Sequence, residues 1–286
     1  MSARSAYWQC RHRRLEWTAR PLVMGVVNVT PDSFSDGGQY LDSTAAIQRG
    51  FELVAEGVDV LDIGGESTRP GAVSVTADEE MARVIPVIRG LRERTGIPIS
   101  IDTRKAGVAA AALAVGADIV NDVSALTYDP AMVEVARKSG AGVVLMHMRG
   151  EPGTMQDHPV YGNVVAEVCA YLGGRLEALR TAGVDPDCVA VDPGLGFGKN
   201  FEHNRRLLEG LPALAALGRP VMVGLSRKRL IGRLTGRAPA DRLAGSLAGL
   251  VFAVLHGAQI VRVHDGAASL DAVRVTVGLM REEQSA

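Results

Sequence analysis

Apolar residues along the chain fall into short runs, and each run is followed by a polar stretch and then by a segment with helical spacing. The runs cover 22–27, 58–63, 97–101, 118–120, 142–146, 188–191, 220–223 and 259–263; their Val, Ile and Leu content and their polar or glycine borders predict eight buried strands. Between them, spacing near 3.6 predicts helices over 45–56, 78–94, 106–115, 130–139, 164–182, 204–211, 241–256 and 269–283, with Thr76 placed to cap the second. Strands that alternate with helices form parallel sheets through right-handed crossovers. Eight such units in about 250 residues match a single (β/α)8 TIM barrel. A doubly wound open sheet is the competitor, and the count of eight favours the barrel. No linker or shift of composition divides the chain, so the expected organisation is a barrel over 22–286 with an N-terminal extension, 1–21, that caps it.

Composition narrows the classes. The chain has 286 residues, 47% of them hydrophobic, which supports one large core built of aliphatic side chains, since aromatics are only 4%. A net charge of -1 argues against a nucleic-acid partner. The cluster Arg11-His12-Arg13-Arg14 is short and reads as a solvated N-terminal strand or hairpin. No apolar run approaches the roughly 20 residues of a membrane span, and no secretory-type apolar stretch opens the chain. Three scattered cysteines, Cys10, Cys169 and Cys188, show no metal spacing, so the expectation is a reduced, cytoplasmic protein.

Chemistry gathers where the strands end. The ten residues Asp62-Ile63-Gly64-Gly65-Glu66-Ser67-Thr68-Arg69-Pro70-Gly71 turn a buried run into a loop of glycine, hydroxyls and a guanidinium, a set suited to a polar or anionic small molecule. Each other strand ends on a polar group as well: Asn28, Asp102, Asn121 with Asp122, His147, Asp192, Ser226-Arg227-Lys228, and Arg262 with His264. In a barrel these positions converge on one pocket. Asn121, Asp192 and Lys228 suit a flat nitrogen heterocycle, because a carboxylate accepts two neighbouring donors of an amidine or guanidine edge. Arg262 and His264 lie two apart on one strand, point the same way, and suit a phosphate or diphosphate, with free N–H groups after Lys228 adding to the field.

Other readings attach to single residues. Asp62 and Asp122 are equally readable as caps of the next helix. Lys228 as a Schiff-base lysine is disfavoured by its place beyond the strand, and His147 reads better as structural than as a metal ligand. Gly194-Leu195-Gly196-Phe197-Gly198-Lys199 lacks Walker spacing; Phe197 in that loop is placed to stack on a ring.

Taken together, these segments resemble the dihydropteroate synthase family from Leu22 onward. The matching stretches are Met24 to Gly38, Asp62 to Gly71, Ile101-Asp102-Thr103, Asn121-Asp122, Met146-His147-Met148, Asp192 to Lys199, Ser226-Arg227-Lys228 and Arg262-Val263-His264-Asp265. The resemblance implies a transferase that joins 6-hydroxymethyl-7,8-dihydropterin diphosphate to 4-aminobenzoate, with diphosphate leaving. It implies that Asp102, Asn121, Asp192 and Lys228, with Met146, Phe197 and Gly224, line the pterin pocket. Asn28, Arg262 and His264 are implied to hold the diphosphate, with Mg2+ at Asn28, and to act with Asp102 and Lys228 in catalysis. Phe34, Ser67, Thr68, Arg69 and Pro70, with Phe197 and Lys228, are implied to form the aminobenzoate side. Sulfonamides as inhibitors, and a homodimer, follow from the same resemblance. One departure is Arg229, where many members carry Ser.

The lack of an obvious base fits a dissociative reaction, in which a ring-stabilised cation is captured by a weak aniline nucleophile. The segment 62–71 then reads as a flap that works with 30–38 to build the acceptor site. A pterin-dependent methyltransferase and a catalytically silent pterin-binding paralogue are the rival functions. The small residues of the helix over 241–256 fit packing on its own barrel better than packing on a partner.

Overall fold

The computed structural model describes residues 6–29, 39–67, 74–150, 155–156 and 159–280. A short antiparallel hairpin, β1 (Tyr7–Cys10) and β2 (Arg13–Glu16), precedes the barrel strands β3 (Leu22–Asn28), β4 (Val60–Gly64), β5 (Ile99–Asp102), β6 (Ile119–Asp122), β7 (Gly142–Met146), β8 (Val189–Asp192), β9 (Met222–Gly224) and β10 (Ile260–Val263). These eight pair in parallel in the order β8-β7-β6-β5-β4-β3-β10-β9. A parallel bridge between Val191 and Val221 joins the two ends and closes the ring. The expected TIM barrel is therefore present.

Helices alternate with the strands: α1 (Gln39–Glu56), α2 (Ala77–Arg92), α3 (Ala106–Ala114), α4 (Met132–Ser139), α5 (Val164–Thr181), α6 (Phe201–Glu209) with α7 (Leu211–Ala215), α8 (Arg229–Thr235) with α9 (Leu243–Leu255), and α10 (Gly266–Met280). Thr76 caps α2 in a full capping box with Glu79. Several helices differ from expectation, and α1 begins at Gln39 rather than at 45. α6 starts at Phe201 because Asn200 accepts the His203 N–H and fixes the helix start earlier. α8 is a separate short helix, since the Ser226–Thr235 stretch carries no clear apolar period. Among the small residues of α9, Gly245, Ser246 and Gly249 pack on the barrel's own elements, as a methyl added at Gly245 would lie 2.5 Å from Ile231 of α8, whereas Ala244 and Ala248 are exposed.

Strand alternation divides each strand into two faces. Outward residues such as Val23, Leu61, Ile63, Ile99, Ile101, Val143, Leu145, Val189 and Val261 join the aliphatic layer under the helices. Inward residues Leu22, Met24, Val60, Ile119, Val144, Ala190, Met222 and Ile260 fill the lower half of the barrel around Trp8. One step further along the inward faces of β4, β6, β8 and β10 the side chains become polar (Asp62, Asn121, Asp192 and Arg262), which makes the upper half a site rather than a core.

The β1–β2 hairpin packs against the lower end, and its Arg11 and Arg13 are anchored rather than simply solvated. Trp8 is fully buried and donates its indole N–H to the Cys188 carbonyl at 2.7 Å. Gly142 makes room for the hairpin, because a methyl there would lie 2.5 Å from Cys10 Sγ. Arg11 donates to the Leu113 and Ala117 carbonyls, and Arg13 pairs with buried Asp118 at 3.1 Å. The hairpin thus completes the core from below. Trp8→Ala is expected to cost about 3–5 kcal/mol of unfolding free energy, measured by urea denaturation; a loss under about 1 kcal/mol would show that the cap is not part of the core.

Candidate active site

At the upper end the inward positions are Asn28, Asp62, Asp102, Asn121, Asp192 and Arg262, interspersed with Gly64, Met146 and Gly224. Register puts them side by side: Asp102 is opposite both Gly64 and Asn121, Met146 opposite Asp192, and Arg262 opposite both Met24 and Gly224. The expected strand-end residues therefore do converge, and parity also removes one of them. Asp122 follows inward-facing Asn121 and faces away from the pocket; its carboxylate accepts from Ser124 N, Ser124 Oγ and Leu126 N and fixes the turn after β6. Asp62, by contrast, caps no helix.

One guanidinium is shared between two carboxylates. Arg262 Nε donates to Asp62 Oδ2 at 2.6 Å and Nη2 donates to Asp102 Oδ2 at 2.8 Å. Asn121 Nδ2 also donates to Asp62 Oδ2, at 3.2 Å, while the buried Asp62 Oδ1 has no hydrogen-bond partner among the described residues. Burial and the neighbouring Asp62 charge push the Asp102 carboxyl up to about 7, against the pull of Arg262. Burial opposes the Arg262 charge, but Asp62 and Asp102 hold it firmly protonated.

The opposite wall is built by Asp192, Lys228 and the loop after β8. Gly194 N donates to Asp192 Oδ1 at 2.6 Å, and burial raises the Asp192 carboxyl even so. Lys228 Nζ donates to the Leu195 carbonyl at 2.6 Å and stands 5.0 Å above the Phe197 ring. Burial lowers its ammonium to about 8, against the attraction of Asp192. Gly224 leaves space beside it, since a methyl there would lie 3.6 Å from Lys228 Nζ and 3.8 Å from Arg262 Cβ. Counting Asp62, Asp102 and Asp192 against Arg262 and Lys228, fully ionised, the pocket holds one negative charge more than positive. It is set up for a ligand edge rich in N–H donors, or for a cation.

Of the residues suited to phosphate, Arg262 lies within the cluster and His264 beyond the end of β10. His264 Nδ1 lies 3.0 Å from Ser226 Oγ, and the Arg49 guanidinium donates to the His264 carbonyl. Arg227 takes a left-handed backbone, φ 59°, and turns its guanidinium out to Asp265, tying the loop after β9 to that after β10. Arg229 begins α8. Asn28 ends β3, and its Oδ1 is 3.9 Å from where a Gly64 methyl would be.

Ser67 is at the edge of the described residues, whereas Phe34, Thr68, Arg69 and Pro70, and the 30–38 loop, lie outside them. The stem of the 62–71 segment is nevertheless firmly held. Lys105 Nζ donates to both Glu66 and the fully buried Glu80, and Arg83 donates to the Gly65 carbonyl at 2.8 Å. Gly65 has no room for a side chain, as a methyl would meet Val84 at 2.7 Å. Lys105 and Glu80 were not legible as functional residues. The same holds for Lys199, which lies buried beside structural His147, 2.9 Å from its Nδ1.

A carboxyl raised on folding stabilises the protein below its unfolded value and loses that contribution as pH rises through its folded value. For Asp102 the window runs from 3.8 to about 7. Asp102→Asn cannot ionise, so its stability relative to the native chain is expected to improve across that window by up to about 4 kcal/mol, and to hold that gain at higher pH. Urea unfolding at several pH values reads the effect, and a pH-independent difference would remove the shared-guanidinium account.

Comparison with known proteins meets this geometry. A model of the pterin binding enzyme family matches residues 24–264. The dihydropteroate synthase of Synechocystis is 44% identical over 267 residues, 93% of this chain and 92% of that protein. The solved Xanthomonas albilineans dihydropteroate synthase with 4-aminobenzoic acid is 49% identical, with a TM-score of 0.91 over 97% of this chain and 99% of that one. The same enzyme has been solved with 7,8-dihydropteroate, at 45% identity and a TM-score of 0.87 over 96% of this chain and 99% of that one. The Yersinia pestis dihydropteroate synthase with a sulfonamide drug is 40% identical, with a TM-score of 0.90 over 96% of this chain and 99% of that one. Sequence and fold agree over nearly the whole chain: it belongs to the dihydropteroate synthases of the pterin binding enzyme family.

Proposed function

We propose that the barrel joins 6-hydroxymethyl-7,8-dihydropterin diphosphate to 4-aminobenzoate, giving 7,8-dihydropteroate and diphosphate, and that the buried acids at its upper end carry the reaction. The supporting observation is the sharing of Arg262 between Asp62 and Asp102, with Asp192 and Lys228 across the pocket. Asp192 and Asn121 receive and donate along the heterocycle's edge, Met146 and Gly224 shape its berth, and Lys228 donates to a ring acceptor.

The C–O bond to diphosphate breaks with its electron pair, and the pterin ring spreads the positive charge left on the exocyclic carbon. Asp102, about half ionised near neutrality and drawn to its carboxylate form by a neighbouring cation, faces that charge in a low-dielectric site where fixed charges act strongly. The aniline nitrogen then forms the new C–N bond and gives up one proton to the solvent side. Phe197 and Ser67 border the acceptor, with Lys228 between the two substrates, and the Arg262 guanidinium, with His264, receives the departing diphosphate.

Asn28 offers one hard amide oxygen, and no group of three or more His, Cys, Asp or Glu side chains that could hold a metal occurs among the described residues. That donor set fits Mg2+, which takes one or two protein oxygens and completes its shell with phosphate oxygens and water. Bound there, Mg2+ would neutralise charge on the leaving diphosphate. Sulfonamides are expected to compete with 4-aminobenzoate.

Assays of diphosphate release with both substrates and Mg2+ test this reading. Asp102→Ala and Lys228→Ala are each expected to lower kcat/KM by roughly 100- to 1,000-fold. In the native protein, positional isotope exchange of the labelled diphosphate substrate, with aminobenzoate absent, is expected from the dissociative route. Binding of the pterin without diphosphate release would mark a silent pterin-binding protein instead.

We infer further that a second copy covers the outer face of α9 and α10. Leu255, Val275, Leu279 and Met280 are 53%, 61%, 84% and 54% exposed along one open apolar groove. Contiguous apolar surface of this kind marks an interface, and a two-fold axis would set it against itself. The three cysteines are free, two of them buried, which supports a cytoplasmic location; no helix among the described residues is long and apolar enough to cross a membrane. Light scattering is expected to give a dimer, and Val275→Glu with Leu279→Glu a monomer. A monomeric native protein at micromolar concentration would overturn the pairing.

A further inference from the structure

The loop between β8 and α6 ends on a lysine that the reaction does not use. Lys199 is 2% exposed, and its ammonium has three acceptors within reach: His147 Nδ1 at 2.9 Å, the His147 carbonyl at 3.0 Å and the Phe197 carbonyl at 2.9 Å. Only an ammonium brings three N–H donors on one atom; burial lowers Lys199 to about 7, against the attraction of Asp192, so this charged form prevails below neutrality. With Lys199 donating, His147 Nδ1 accepts and the ring proton sits on Nε2. Burial and the Lys199 charge keep this imidazole neutral, its value lowered to about 3.

This contact is the fastening of a tightly laid loop. Gly194, Gly196 and Gly198 all have left-handed backbones, with φ of 67°, 85° and 64°. The loop lies against the segment after β7 so closely that a methyl at Gly194 would fall 2.0 Å from the His147 carbonyl oxygen, and one at Gly198 2.2 Å from that of Arg149. Asn204 holds the same loop from α6, accepting from Gly196 N at 2.7 Å and donating to the Lys199 carbonyl at 3.2 Å. The upper side of the loop faces the pocket, where it offers the Leu195 carbonyl to Lys228 Nζ and the Phe197 ring beneath that ammonium.

We propose that Lys199 is a positioning residue for the transfer: by binding the His147 and Phe197 carbonyls from below, it sets the height of the 193–199 loop and so the place of the Lys228 ammonium and the Phe197 ring. The proposal rests on the function given above for Lys228 and Phe197. The charged neighbours of Lys199 are Asp192, Lys228 and Arg149; a field effect on Lys228 would move the pH profile of kcat/KM, which a change of position alone would not.

A double-mutant cycle, read with that pH profile, separates these effects. Lys199→Met is expected to lower kcat/KM for 4-aminobenzoate by roughly 10- to 100-fold, the scale of a displacement of about 1 Å. In a Lys228→Met background one of the two positioned groups is gone and only Phe197 remains, so the same change is expected to cost several-fold less than in the native protein. Calorimetric binding of the pterin diphosphate to the same four proteins repeats the comparison without turnover, so it stands even if the native protein releases no diphosphate, a result that would count against the proposed reaction alone. Lys199→Gln takes the place of Lys199→Met if circular dichroism shows the latter unfolded. Equal fold losses in both backgrounds, or no loss in either, would overturn the positioning role.

Discussion

The upper half of the barrel depends on one unequal ion cluster. Arg262 is hydrogen-bonded to Asp62 and Asp102 at once, and a single guanidinium cannot compensate two buried carboxylates. Desolvating charge is expensive, and the attraction within a cluster repays it only when every group is satisfied. Here Asp62 Oδ1 has no partner among the described residues and Asp102 sits near its protonation midpoint at neutral pH. The aliphatic layers below, the hairpin plug and the ring of helices supply the stability against which this cluster is held. The cost has a chemical use: a pocket with one carboxylate too many is most comfortable when a cation, or a row of N–H donors, occupies it.

Alternation along the strands links that chemistry to the fold. In β4, inward Val60 belongs to the core and inward Asp62 to the site, while Leu61 and Ile63 between them face the helices. The same two-residue step takes Ile119 to Asn121, Ala190 to Asp192 and Ile260 to Arg262. A one-residue slip in any of these strands would bury its acid or guanidinium under a helix. Packing and catalysis therefore constrain the same register, and the outward valines and isoleucines that look purely structural also aim the inward polar groups.

This explains which parts were legible in the sequence. Eight apolar runs with polar ends gave the barrel and the convergence of Asn28, Asp102, Asn121, Asp192 and Arg262, because both follow from local composition and chain order. Asp62 and Asp122 stayed ambiguous as residues at strand ends, and parity separates them only once the inward face of each strand is known. The short helix α8 had no apolar period to announce it. The Glu66–Lys105–Glu80 bridge and the Lys199–His147 contact join residues 39, 25 and 52 positions apart. Nothing in their local sequence distinguishes a buried lysine from an exposed one.

Those two lysines bear on the same physical problem from opposite sides of the pocket. Loops at the end of a barrel need glycine to turn and to lie close, and glycine leaves them with few side chains to hold them. At Gly65 and at Gly194, Gly196 and Gly198 the backbone is pressed against a neighbour with no room for a methyl or in a left-handed turn. In each case a buried ammonium supplies the fastening, with Lys105 binding two carboxylates beside Gly65 and Lys199 binding two carbonyls beneath Phe197. A hydrophobic residue could fill either space, but it would leave those acceptors buried and unpaired, at a cost of about 1–3 kcal/mol for each neutral acceptor and more for a charged one. The lysines are therefore better understood as parts of the loops' architecture than as surplus charge. The placement of Lys228 over Phe197 inherits its definition from a residue that touches neither substrate.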